Sequence, residues 1–290
     1  MPQTPAVPSL PPPALLPRPL RRAYTRCRWG QVHYRAAGPV RSARPPVILL
    51  HQNPSSGFEY EPLISALASD RRVIAFDTPG YGMSDPPPAP PGLAGYAAAL
   101  ADALDALTAE EGLTGPVDLY GFHTGTLLAA ELAILLPARV RRLAMTGIPL
   151  FPPEEAAARL REARGFPAPD EAGTVIMGLL DRLYDYAVRQ RDPRLPLDKA
   201  LANFADKARV LHRFNWAYQG VWAWDFARLG QVTQPVLVLQ SHEDLLEHSR
   251  TAARLLPDVT WRELPGLDRD IFDLAAEIIA DGLRAHFDRA

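Results

Sequence analysis

Three observations predict an α/β architecture: a mostly parallel sheet flanked by helices, with a helical insertion. Short apolar runs alternate with longer helical stretches from residue 46 to residue 147, and buried strands that alternate with helices imply a parallel sheet with both faces covered. The alternation stops at Pro149 and resumes at Pro235. Between an apolar strand-like run and an apolar helix-like run stands Gly121-Phe122-His123-Thr124-Gly125, whose glycines permit a strained turn that lifts the central side chain to a helix N-terminus. A chain of 290 residues can bury one large core plus an insertion.

Residues 22–29 and 31–37 alternate in the manner of a hairpin turned at Gly30. Residues 46–50 form a continuous apolar strand ending at His51, 58–68 a helix, and 72–76 a strand ending at Asp77. A glycine-containing turn at 78–82 and a proline-rich stretch at 86–91 lead into a helix over 93–110. The strand at 116–120 feeds the Gly-x-His-x-Gly turn and a helix over 126–136, and a further strand covers 142–147. From 151 to about 230 the pattern is helical and rich in aromatics, best read as a lid over the strand ends. Strands at 235–239 and 259–264 and a helix over 271–287 complete the chain. The expected division is a proline-rich tail at 1–20, a core at 21–148 and 231–290, and a helical lid at 149–230.

Composition narrows the function. The net charge is −2 and arginines are interspersed with acids, so neither nucleic acid nor an acidic membrane is an expected partner. No apolar run reaches the ~20 residues that span a bilayer. The first 20 residues are broken by prolines and lack a cationic start before an apolar block, so no secretory signal is expected and a cytoplasmic location fits best. Cys27, the one cysteine, reads as a half-buried strand thiol. No dinucleotide fingerprint, phosphate-binding loop or metal-ligand spacing occurs; no cofactor and no metal are expected. His212, His242 and His248 are assigned solvent or surface roles, and Ser55-Ser56 loop capping. Nothing in the sequence bears on oligomeric state.

The order of segments resembles the α/β-hydrolase superfamily from about Ala23 to the C-terminus. Leu49-Leu50-His51-Gln52-Asn53-Pro54 is similar to its oxyanion loop, Asp77-Thr78-Pro79-Gly80-Tyr81-Gly82-Met83-Ser84 to its Asp-x-Pro-Gly-x-Gly-x-Ser turn, and the Gly121–Gly125 pentapeptide to its nucleophile elbow. Residues 239–244 and 263–269 fall where the resemblance puts the catalytic acid and histidine. At the elbow, however, His123 replaces serine, aspartate or cysteine; Gln52 replaces glycine; Asp244, with Glu243 as neighbouring candidate, falls on the acid; and Arg269 falls on the histidine. The matched triad His123, Asp244, Arg269 lacks the hydroxyl and the imidazole that a serine relay requires.

His123 reads as a general base kept neutral by the helix N-terminus, against the alternative of an elbow that has lost its chemistry. Its distal nitrogen reaches on the order of 2 Å beyond a serine oxygen, which disfavours acyl transfer. Asn53 and the backbone of Thr124 are candidates for holding a substrate oxygen, with Gln52 beside them; Asn53 reads equally as a turn residue. His51 is expected to pack and hydrogen-bond within its loop. The resemblance places Arg269 and Asp244 in contact, either as an ion pair or with Arg269 available to fork onto a substrate carboxylate. Trp216, Trp222 and Trp224 are candidate pocket walls for an aromatic or flat apolar substrate. The favoured function is cofactor-free acid/base chemistry on a small carbonyl-containing metabolite, of lyase, isomerase, cyclase or decarboxylase type. The alternatives are hydrolysis by water activated at His123, and a silent ligand-binding protein.

Overall fold

The computed structural model describes residues 20–289; apart from Leu20, the proline-rich tail lies outside the described residues. Eight strands form one sheet: β1 Arg21–Cys27, β2 Gly30–Ala37, β3 Val47–Leu50, β4 Val73–Phe76, β5 Val117–Phe122, β6 Val140–Thr146, β7 Val236–Ser241 and β8 Val259–Leu264. Their spatial order is β1-β2-β4-β3-β5-β6-β7-β8. The β1–β2 and β2–β4 pairs are antiparallel and all others parallel. The helices are α1 Glu61–Leu67, α2 Gly92–Glu111, α3 Thr124–Leu135, α4 Pro153–Arg164, α5 Thr174–Tyr184, α6 Leu197–Ala208, α7 Asn215–Ala223, α8 Leu246–Ala253 and α9 Ile271–Phe287. None of these is long and apolar enough to cross a membrane.

Strands β3, β4, β5 and β7 are buried along their whole length, which is why they read as continuous apolar runs. The two-residue period divides them between two cores. Ile48, Leu50, Ile74 and Phe76 pack with α2 and α3 on one face. Val47, Leu49, Val73 and Ala75 pack with α1 and α9 on the other. Cys27 is half-buried at the end of β1, as expected. The single helix expected over 58–68 is instead a 3₁₀ turn, Gly57–Tyr60, followed by α1. Pro62 sits in the first turn of α1, where its missing N–H costs nothing.

The turn after β4 is pinned by Asp77, which is fully buried. Its carboxylate accepts from Gly57 N (2.8 Å), Met83 N (2.9 Å), His33 Nδ1 (2.8 Å) and Arg35 Nη1 (3.1 Å). Burial pushes this carboxyl up, but His33, Arg35 and the other partners outweigh it and hold it below the usual range. Tyr81, in the same turn, accepts from Ala217 N (2.9 Å) at the start of α7 and donates to Arg213 O (3.2 Å). The family-like turn therefore carries one side of the insertion formed by α4–α7.

The strand–turn–helix at 121–125 has no slack. A Cβ on Gly121 would lie 2.2 Å from Gly125 O, and one on Gly125 only 1.8 Å from Leu50 O. These glycines are needed because α3 starts in backbone contact with β3. Gly125→Ala is expected to lower stability by at least about 2–3 kcal/mol, read as a fall in the midpoint of thermal or denaturant unfolding. A midpoint equal to that of the unmodified protein would mean that the helix start can move.

Candidate active site

Between these glycines His123 adopts φ 49°, ψ −113°, a combination worth about 1–3 kcal/mol of backbone strain for a residue with a side chain. Its neighbours hold it there. His123 N donates to Thr146 O (2.9 Å), and its carbonyl accepts from Thr126 N (2.9 Å) and Thr126 Oγ1 (2.6 Å). The ring lies on Phe122, centroids 4.0 Å apart and planes at 28°. Its far edge fits against Gly147, where a Cβ would come within 2.3 Å of His123 Cδ2 and 2.7 Å of Nε2.

His123 Nε2 stands 3.3 Å from Glu243 Oε2. The distance is that of an ion pair, but the atoms are not aligned as a hydrogen bond, and Nε2 is buried without another partner among the described residues. Such bonds are commonly long or poorly aligned until a ligand binds. Nδ1 makes no hydrogen bond among the described residues, and the 22% of the side chain that remains exposed faces a cavity.

Glu243 is itself held from behind. Gln240, fully buried, donates from Nε2 to Glu243 Oε1 (3.2 Å) and accepts from Gly147 N at Oε1 (3.0 Å). Burial pushes the Glu243 carboxyl up, but the facing imidazole, Gln240 and the Leu245 N–H more than compensate and hold it below its ordinary value. The acid beside the ring is therefore Glu243, while Asp244 is exposed at the cavity edge. Gln240 and Gly147 were not singled out in the sequence; a buried glutamine in an otherwise apolar strand end was the available signal.

The cavity, of about 910 Å³, is shared between the core and the insertion. His123, Thr124, Gln52 and Asn53 line it on the core side. Thr124 opens α3, so its N–H has no intrahelical acceptor. Asn53 is committed to the insertion rather than to its own turn: Nδ2 donates to Phe214 O (2.9 Å), its carbonyl accepts from Tyr218, and Oδ1 is buried without a partner among the described residues. Gln52 Nε2 donates to Glu59 Oε2 (2.8 Å). His51 bonds within its loop as expected, through Gln52 O (2.6 Å), and also accepts from Thr78 N (2.9 Å) in the turn after β4. On the insertion side Tyr218 and Trp222 lie parallel, centroids 6.0 Å apart, with Phe151 edge-on to Trp222.

Four further expectations are corrected. Arg269 does not meet Asp244: it donates to Gln190 O (2.7 Å) and Gln190 Oε1 (3.2 Å) and lies 4.4 Å above the Tyr186 ring. The guanidinium thus fastens the loop before α9 to the insertion through the backbone and side chain of Gln190. Trp224 turns away from the cavity and donates to Glu131 (2.6 Å). Trp216 is likewise off the cavity, beside Arg213. His248, expected at the surface, lines the cavity; its Nδ1 donates to Leu150 O (2.8 Å) and its ring lies against Phe151.

Comparisons with known proteins bear on the family and the fold. A family described as alpha/beta hydrolase fold matches residues 45–275. The chain belongs to the α/β-hydrolase superfamily, whose members are mostly enzymes. It is 36% identical over 110 residues to a cis-3-alkyl-4-alkyloxetan-2-one decarboxylase of Xanthomonas campestris pv. campestris, covering 37% of each chain. It is 29% identical over 196 residues to a poly(3-hydroxyalkanoate) depolymerase of Ectopseudomonas oleovorans, covering 64% of this chain and 63% of the relative. The match thus spans just over a third of the first relative and just under two thirds of the second. Among solved structures, the enol-lactonase from Burkholderia xenovorans LB400 superposes with a TM-score of 0.72 at 18% identity, over 92% of this chain and 100% of that one; this likeness bears on the fold alone.

The two adjacent acids are separable by experiment. Because the Glu243 carboxyl is held below its unfolded value, its contribution to stability is complete above the unfolded value of ~4.3 and is lost as pH falls through the folded value. Glu243→Gln should therefore lower unfolding stability at neutral pH, on the order of 1–3 kcal/mol, with the difference shrinking in acid. Asp244→Asn should be nearly silent. Equal losses from both variants would contradict the assignment of Glu243 as the partner of His123.

Proposed function

We propose that the protein is a cofactor-free enzyme that removes a proton beside a carbonyl group, with His123 as general base. The observation that supports this most directly is the orientation of the ring, with Nε2 toward Glu243 and Nδ1 open to the cavity. A carboxylate beside Nε2 favours the tautomer that carries its proton there and leaves the lone pair on Nδ1, the arrangement a base needs. As Nδ1 takes the proton, charge develops on the carbonyl oxygen. The Thr124 N–H at the start of α3 is the donor available to hold it. Loss of carbon dioxide, loss of a leaving group, ring closure or return of the proton elsewhere then gives a decarboxylase, lyase, cyclase or isomerase.

The substrate class follows from the walls. Tyr218, Trp222 and Phe151 suit a small molecule with a flat apolar or aromatic part. Arg269 is engaged through Nη1 and also lines the cavity, so a carboxylate on the substrate, met by its other guanidinium nitrogens, stays part of this reading. The insertion serves as the cap that keeps water from the base, and a cytoplasmic setting remains our assignment. The decarboxylase and depolymerase relatives are both named for carbonyl-bearing substrates. The depolymerase favours a second reading, in which Nδ1 activates water against an ester.

Two measurements test the proposal. His123→Ala should lower turnover of an identified carbonyl substrate about 100- to 10,000-fold while binding persists; wild-type turnover in that variant would sink the mechanism. A fluorophosphonate probe should leave the protein unlabelled. A labelled hydroxyl in the cavity would restore an ordinary serine hydrolase.

A further inference from the structure

The aromatic wall of the cavity carries a polar group that the proposed chemistry leaves unused. His248, on α8, donates from Nδ1 to Leu150 O (2.8 Å). The next residue, Ser249, is fully buried, and its hydroxyl accepts from Ile148 N (2.7 Å). Consecutive side chains thus tie α8 to the segment that follows β6 and fix the edge that the imidazole turns to the backbone. A carbonyl can only accept, so in the neutral ring the proton sits on Nδ1 and the lone pair on Nε2. Nε2 lies at the far end of the ring from α8. It has no partner among the described residues, it is not among the atoms sealed inside the protein, and the residue lines the cavity.

The surroundings say what this lone pair can meet. The His248 and Phe151 rings lie 4.2 Å apart between centroids, with planes at 33°. Phe151 in turn stands edge-on to Trp222 at 5.1 Å. A flat group resting on Phe151 and Trp222 therefore lies beside the imidazole as well. The other polar groups of this wall do not duplicate Nε2. Arg159, whose guanidinium lies 4.3 Å from the Phe151 centroid, and the Trp222 indole can only donate. The Tyr218 hydroxyl donates to Asn53 O, and Glu155 Oε1 accepts from Arg159 Nε (3.0 Å) and Nη2 (2.7 Å). An acceptor that a ligand cuts off from water without bonding it costs free energy, so such a group discriminates between ligands.

We propose that His248 determines specificity for the flat part of the substrate, and that this part carries a hydrogen-bond donor, a hydroxyl or a ring N–H, which Nε2 accepts. The proposal rests on the reading that puts a flat apolar group against this wall, and not on the step that follows at His123. His248 does not touch the reacting carbonyl. The matched substrate is a hydroxyaryl or indolyl ketone. An unsubstituted ring leaves Nε2 facing carbon, and a methyl ether sets a second lone pair against it.

Equilibrium binding tests this without turnover. Phenylacetone, its ring-hydroxylated derivatives, their methyl ethers and indolylacetone are titrated into the wild type and into His248→Asn by calorimetry. Asparagine at 248 keeps a donor for Leu150 O and has nothing in the place of Nε2. In the wild type a hydroxylated ketone or the indolyl ketone should bind about 2- to 10-fold more tightly than phenylacetone; which of them does so identifies the donor. His248→Asn should lose that preference and bind phenylacetone as the wild type does. A preference that survives in His248→Asn overturns the proposal, as does one shared by the methyl ethers, which would assign it to a donor such as Arg159. Equal wild-type affinity for all the aryl ketones, a result that needs no variant, overturns the proposal alone and leaves the aromatic wall. Affinity for none of them overturns both.

Discussion

Helix α3 begins in backbone contact with strand β3, with Gly125 against the Leu50 carbonyl and Gly121 against Gly125 itself, and the site is built outward from that contact. No residue with a Cβ fits at either glycine, so the chain must turn within the three residues between them. The turn forces position 123 into a conformation that side chains avoid. It is tolerated because Thr146 and Thr126 bind the His123 backbone on both sides. The strain is thus offset by strand and helix bonds that also close the core, and the direction of the imidazole is inherited from the sheet.

Around that fixed ring the polar groups divide their work. Gln240 ties the Gly147 N–H to Glu243, so the end of β7 and the end of β6 position the carboxylate together. The loop after β8 serves a different purpose. Arg269 binds carbonyl groups of the insertion, Asp270 accepts from Asp192 N (2.9 Å), and Asp273 accepts from Asn203 (3.1 Å). A segment at which the superfamily resemblance puts chemistry is here a seam between core and insertion. Asn53 does the same from the opposite rim through Phe214 and Tyr218. The insertion is therefore fastened at both edges of the cavity by residues that motif matching alone assigns to the reaction.

The fold was legible because its signals are local. The buried strands announce themselves as apolar runs, and β8 and α9 begin and end at the residues their patterns indicate. The elbow strand was read two residues short, since Gly121 and Phe122 belong both to strand and to turn. The placement of the candidate site was legible where backbone geometry dictates it, with His123 and Thr124 at the turn facing the cavity. It was not legible where two elements far apart in sequence choose their partners. The choice between Glu243 and Asp244 depends on which way one turn after β7 rotates, and the partner of Arg269 lies 79 residues away. Trp216, Trp222 and Trp224 share composition and neighbourhood, yet only Trp222 faces the cavity, because the helical phase of α7 and its end at Ala223 decide the direction of each ring.

Gly147 has one more implication. Its missing side chain is the volume that the edge of the imidazole fills, with the Glu243 carboxylate forming the far wall of the same space. A serine at position 123 would be too short to occupy that hollow, and a carboxylate facing it would draw in water. The turn is thus fitted to an aromatic ring, and a working serine at 123 would require the hollow, the acid facing it and the residue at 269 to differ together. Such coupling makes the histidine hard to replace by a single substitution, so the ring and the glycine opposite it form a matched pair.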